Sequence, residues 1–139
     1  MSPTVTVSIS YRHARAALDW LVTVFGFAEH AVYPGPGDTI LHAELTLGTG
    51  MIMIGTLPPR GTFYGDLIRM PDEVGGYCTQ SVNLVVADPD AACERAKAAG
   101  ATIVSDIEDK PYGGRGFSCR DPEGHLWHVG SYDPWALRG

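Results

Sequence analysis

Two stretches of this chain carry side chains whose spacing gives them both a direction and a chemistry. His128 lies in Leu126-Trp127-His128-Val129-Gly130, after the turn residues Asp121-Pro122-Glu123-Gly124. In a strand its ring points away from the side that Trp127 and Val129 occupy. His42 and Glu44 alternate with Leu41, Ala43, Leu45 and Leu47, so an imidazole and a carboxylate share one strand face. Either group, aimed into a dry hollow, is suited to general-base work; His128 and Glu44 are therefore the candidate catalytic residues. His42, Glu44 and His128 together would supply two imidazoles and a carboxylate, a donor set used for non-haem iron. Nothing in the sequence makes the three converge. The alternatives are that His42 and Glu44 orient a ligand by hydrogen bonds, pair with each other, or form ordinary cross-strand polar contacts.

The elements that must hold these groups are legible in order. Val5, Val7 and Ile9 alternate with Thr6, Ser8 and Ser10, a half-buried strand. From about Arg12 the period changes, and Ala16, Ala17, Trp20, Leu21, Val24 and Phe25 predict a helix that Gly26 stops. Phe27 to Tyr33 reads as a strand closed by Pro34-Gly35-Pro36-Gly37-Asp38. Ile40 to Leu47 and Met51 to Ile54 follow as a hairpin around Gly48-Thr49-Gly50. Residues 57 to 79 break the regularity with prolines and glycines, yet carry Phe63, Tyr64, Leu67, Ile68 and Tyr77. That loop predicts a lid over a pocket or a subunit contact.

The same order then returns. Ser81 to Val86 is a strand, and Asp88-Pro89-Asp90 opens a helix over Ala91 to Ala99 that stops at Gly100. Thr102 to Ile107, Gly116 to Cys119 and His125 to Val129 complete four strands, and a tail holds Trp135. Gly26 and Gly100 stand 74 residues apart, and Met53 and His128 75. The repeated order is the stronger sign of an internal duplication. The expected organisation is one domain: a first module over about 4–56, a loop over 57–79, a second module over about 80–131 and a tail over 132–139.

Composition narrows the partners. A net charge of −6, with scattered basic residues, argues against nucleic acid or an anionic membrane surface. No apolar run approaches the roughly 20 residues of a membrane span, and the first residues lack the plan of a signal peptide. Cys78, Cys93 and Cys119 are an odd number without CxxC spacing, which reads as free thiols in a reducing cytoplasm. Gly113-Gly114-Arg115-Gly116 lacks the lysine of a phosphate loop and reads as a hairpin turn. His13 and His30, near the ends of the first helix, read as surface groups; Trp20 and Trp127 read as core.

Two small sheets with their apolar faces under helices leave two polar faces, which would line a common cavity if the sheets face each other. Thr6, Ser8, His42, Glu44, Met53, Asn83 and His128 are assigned to that wall, with Phe63, Tyr64 and Trp135 stacking on a ligand. The alternative is that the polar faces are simply wet.

Tyr11-Arg12-His13-Ala14-Arg15-Ala16-Ala17-Leu18-Asp19-Trp20-Leu21 with Phe25-Gly26-Phe27 resembles the opening of the glyoxalase/bleomycin resistance/dioxygenase (vicinal oxygen chelate) superfamily. Ala98-Ala99-Gly100-Ala101 and Asp121 to Trp127 resemble its second module, and the likeness is nearest to the branch labelled PhnB-like. The resemblance implies an α+β fold of two tandem βαβββ modules forming an open, cavity-enclosing sheet, and a homodimer. It places the family's metal-ligand positions at Thr6, Met53, Ser81 and His128, or Ile54 for Met53 if the register slips by one. Hydroxyls and a thioether suit Mg²⁺, Mn²⁺ or Fe²⁺ poorly. No cofactor is expected there, and a divalent metal at a moved site is the alternative. The family includes isomerases, dioxygenases, transferases and drug-binding proteins, so it implies a small-molecule ligand without fixing turnover. A metal-free, drug-sequestering binder is the first expectation. A glyoxalase-like lyase/isomerase or a dioxygenase, working through a relocated metal or a His/Glu base, is the second.

Overall fold

The computed structural model describes residues 3–136. The chain divides into two compact units, with the boundary between Val74 and Gly75.

In the first unit β1 (Val7–Tyr11), α1 (Ala14–Phe25), β2 (Ala28–Pro34), β3 (Ile40–Leu47) and β4 (Gly50–Thr56) follow in chain order. The sheet order is β1-β4-β3-β2, with β1 parallel to β4 and the other pairs antiparallel. Helix α1 buries Ala14, Ala17, Leu18, Leu21, Val24 and Phe25, a stripe at i, i+3, i+4 and i+7. Ala16 falls outside that stripe and is exposed, while Trp20 is half-buried, edge-on to Phe25 at 5.3 Å. Gly26 ends the helix at φ 85°, its N–H donating to the Val22 carbonyl, the left-handed cap that glycine adopts without strain.

Two local departures from simple alternation have physical causes. The ladder begins at Val7, so Val5 lies outside it and is 83% exposed. In β3, Tyr33 pairs with His42 but Pro34 pairs with Ile40, a bulge that sets two residues against one. Ile40 therefore takes the inward place, its N–H satisfied by Thr56 Oγ1 at 2.9 Å, and Leu41 is turned out. The loop after β4 includes a 3-10 turn, Pro71–Val74. It is fastened by Arg12, whose guanidinium donates to both Asp72 oxygens at 2.8 Å, and by Arg60 on Glu73. Met70 is fully buried there, and Glu73 Oε1 accepts its N–H at 2.9 Å.

The second unit repeats the plan: β5 (Val82–Val85), α2 (Pro89–Ala98), β6 (Thr102–Asp109), β7 (Arg115–Arg120) and β8 (Leu126–Gly130), in sheet order β5-β8-β7-β6. Asp88 caps α2 by accepting the Ala91 N–H at 3.1 Å, with Pro89 in the first turn. The buried face of α2 is made of Pro89, Ala92, Cys93 and Ala96. Trp127 is fully buried and donates its indole N–H to Asp121 Oδ2 at 3.0 Å. Asp121 Oδ1 also accepts the backbone N–H of Glu123 and of His125, which closes the turn before β8.

The duplication shows in the ladders. Met53 stands beside Ser8 on β1 and Glu44 on β3; His128 stands beside Asn83 on β5 and Ser118 on β7.

Candidate functional site

In the second module Leu84, Phe117, Cys119, Trp127 and Val129 are buried, so strand alternation turns Asn83, Ser118 and His128 to the other face. There the His128 ring lies between two serines. Ser118 Oγ is 2.6 Å from Nδ1, and Ser81 Oγ, just ahead of β5, is 3.0 Å from Nε2. A neutral imidazole donates at one nitrogen and accepts at the other, so the two hydroxyls and the ring form one hydrogen-bonded chain.

Asn83, Ser118 and His128 line an open cleft of about 860 Å³. Its wall is completed by Tyr112, Tyr132, Pro134 and Trp135. Tyr112 and Tyr132 meet edge-to-face at 4.9 Å, a favourable aromatic geometry. Trp135 stands at the rim, 91% exposed. Gly116 and Gly130 face each other across the β7–β8 ladder and also line the cleft. A Cβ at Gly130 would lie 2.7 Å from the Arg115 carbonyl oxygen, so the floor stays bare because the strands leave no room for a side chain. Arg115 and Lys110 bring cations to the edge, each already paired: Arg115 with Asp90 and Asp109, Lys110 with Glu108. Beneath the floor, burial first and the Asp121 carboxylate second push the Cys119 thiol up to about 12. It is no nucleophile at neutral pH.

In the first module the face opposite the buried Ile52 and Ile54 carries Ser8, Met53, His42 and Glu44. His42 Nε2 lies 2.9 Å from Glu44 Oε2, and the Tyr33 ring leans on the imidazole at 5.8 Å. His30, read from the sequence as a surface group at a helix end, belongs to β2, and its Nε2 is 4.0 Å from Glu44 Oε1. It is 59% exposed by side chain, but its partner is the same carboxylate. Thr6 precedes β1 and is exposed, as are Phe63 and Tyr64, which pack edge-to-face at 5.2 Å in the long loop. Met53, not Ile54, takes the polar side of β4, since Ile54 is buried.

Sequence reasoning missed Ser118, Tyr112, Tyr132 and the pairing of His30 with Glu44. Ser118 was within reach, because it alternates with Phe117 and Cys119. The tyrosines lie in the β6–β7 connection and the tail, whose paths no periodicity specifies.

At the positions that the resemblance assigns to metal ligands, the first unit carries a hydroxyl at Thr6 and a thioether at Met53, and the second a hydroxyl at Ser81 and the His128 imidazole, whose two nitrogens both face serines. Hydroxyls and a thioether fit a hard divalent cation poorly. Among the described residues no three His, Cys, Asp or Glu side chains are grouped to hold a metal ion.

The sequence profile of the Glyoxalase/Bleomycin resistance protein/Dioxygenase superfamily matches residues 5–129. The chain belongs to this superfamily. An uncharacterized protein of Mycobacterium bovis is 32% identical over 130 residues, covering 94% of this chain and 84% of its own length. The crystal structure of TioX from Micromonospora sp. ML1 is 36% identical, with a TM-score of 0.70, covering 93% of this chain and 98% of that one. FosX, a fosfomycin resistance protein of Listeria monocytogenes, shares 12% identity at a TM-score of 0.69 over 96% of both chains, a likeness of fold alone. As in the expectation from the sequence, the superfamily fold here is two four-stranded sheets, each with its helix. Among the described residues no helix is long and apolar enough to cross a membrane. Cys78, Cys93 and Cys119 are free thiols.

Proposed function

We propose that this superfamily member binds a flat, partly aromatic small molecule without a metal ion, in a sequestering role of the resistance type. The observation that carries the reading is the second-module cleft, with hydrogen-bonding groups on its floor and Tyr112, Tyr132 and Trp135 on its wall. Pockets of this size with a few placed polar groups are the usual form of a ligand site. Asn83, Ser118 and His128 would fix the ligand's orientation, and the aromatic residues would supply its contact area. On the first module, Ser8, Met53, His42 and Glu44 form a second ligand-facing set, the thioether adapting to shape. Thr6, Phe63 and Tyr64 keep their proposed role only as outer contacts, since all three are exposed. The resistance reading also draws on the family's name.

The two modules are read as one domain, since one family profile spans both. The protein is read as a cytoplasmic homodimer, the exposed Phe63, Tyr64 and Leu67 offering an apolar contact; light scattering after gel filtration tests the dimer.

The enzyme reading has one observation in its favour, the His42–Glu44 pair. With Glu44 Oε2 2.9 Å from His42 Nε2, Glu44 would orient the ring, and the base of that pair would be the other His42 nitrogen, Nδ1. Thermal-shift screening of EDTA-treated protein against planar polycyclic and glycopeptide antibiotics tests the binder. Stabilisation without metal supports it; stabilisation only on adding Mn²⁺, Ni²⁺, Zn²⁺ or Fe²⁺ supports the enzyme.

A further inference from the structure

The hydrogen-bonded chain at the cleft floor has the order of an activated nucleophile. Ser118 lines the cleft, and its Oγ is 2.6 Å from Nδ1 of His128. On the far side of the ring, Ser81 Oγ is 3.0 Å from Nε2 and can accept the Nε2–H. In that tautomer Nδ1 keeps its lone pair toward Ser118, and the Ser118 hydroxyl donates along the same line. A serine held by a base, with the base oriented by a third group, is the general arrangement for covalent catalysis by a hydroxyl. Asn83, the ladder neighbour of His128, lines the same cleft and carries an amide donor. The buried thiol of Cys119 and the acid-paired Lys110 leave Ser118 the best-placed nucleophile among the described residues of the cleft.

We propose that Ser118 is a nucleophile activated by His128 and positioned through Ser81, and that the cleft hydrolyses small activated esters. Ser118 Oγ attacks the ester carbonyl carbon while its proton passes to His128 Nδ1, and the carbonyl oxygen takes the charge. The bond to the leaving oxygen then breaks, and His128 returns the proton to it, which releases an alcohol and leaves an acyl group on Ser118. Water attacks the acyl carbon while His128 takes its proton; the bond from carbon to Ser118 Oγ breaks, and His128 passes the proton to that oxygen, which frees a carboxylic acid and restores the serine. Ser81 touches neither substrate nor intermediate and is a positioning residue. The proposal goes beyond binding and shares with it the cleft and the residues Ser118 and His128.

The test treats the metal-stripped full chain with a fluorophosphonate probe, followed by peptide mapping, and separately with 4-nitrophenyl acetate. The expected result is one adduct, on Ser118, and ester turnover that Ser118→Ala abolishes. His128→Gln, which keeps a hydrogen-bonding group near the Nε2 position but no base beside Ser118, lowers both rates about 100-fold. Ser81→Thr retains the rates and Ser81→Ala loses much of them, a contrast that a merely structural role would not give. Circular dichroism checks that each variant is folded. An adduct on Ser81, Tyr112 or Lys110 in place of Ser118, no adduct at all, or equal labelling in a folded His128→Gln variant overturns the proposal. Metal-free binding of a planar antibiotic without any adduct removes the nucleophile and leaves the binding reading standing; an adduct without such binding does the reverse.

Discussion

Asp121 is the one buried charged side chain among the described residues. It earns that place by receiving the Trp127 indole N–H and two backbone N–H groups. Asp121→Ala removes the acceptor shared by the buried indole and the two turn N–H groups, so a loss of about 3 kcal/mol is expected in urea unfolding. Cys119 gives a second residue-scale prediction. Its thiol stands at about 12 in the fold against an ordinary 9.0, chiefly from burial. The folded state thus keeps a proton that the unfolded chain releases. The resulting stability is fully present below about pH 9 and is lost as pH rises from there toward 12. Iodoacetamide at pH 9.5 should alkylate Cys119 in urea but not in the native protein; native alkylation at the unfolded rate would contradict this. Trp127 was readable as core because it alternates with His128. The charged partner of its indole was not, because Asp121 looked like one more turn residue.

Among the elements, Gly26 and Gly100 close the two helices at φ 85° and 81°. No atom lies within 4 Å of a Cβ built at either, so only backbone strain opposes a side chain there. Gly26→Ala and Gly100→Ala should therefore cost a similar amount, about 1–2 kcal/mol each, read from chemical denaturation. The loop after β4 is fastened by Arg12, which holds the Asp72 carboxyl below its usual 3.8, chiefly through their hydrogen bonds. That contribution is present above pH 3.8 and fades as pH falls below it. Arg12→Ala should speed tryptic nicking after Arg60 and Arg69, and an unchanged digestion pattern would count against the clasp. Strand and helix order was legible from periodicity and glycine stops. The bulge that turns Leu41 outward was not, because it depends on the pairing of β2 with β3, which no single stretch encodes.

At the scale of the molecule, one βαβββ plan used twice places Met53 and His128 at matching points of two ladders. At that point the second copy carries an imidazole, flanked by two serines, in a cleft walled by tyrosines and Trp135. The duplication and the family could be read from the sequence; the cleft could not, since its wall comes from a turn and a tail that carry no period. The central claim is that this cleft takes a planar small molecule with no metal ion. Isothermal titration of EDTA-stripped protein with the planar polycyclic antibiotics tests it most directly. The account predicts saturable binding by at least one of them, weakened by Trp135→Ala and by His128→Ala, and unchanged on adding Mn²⁺ or Zn²⁺. Binding that appears only with added metal, or that neither substitution alters, would contradict it.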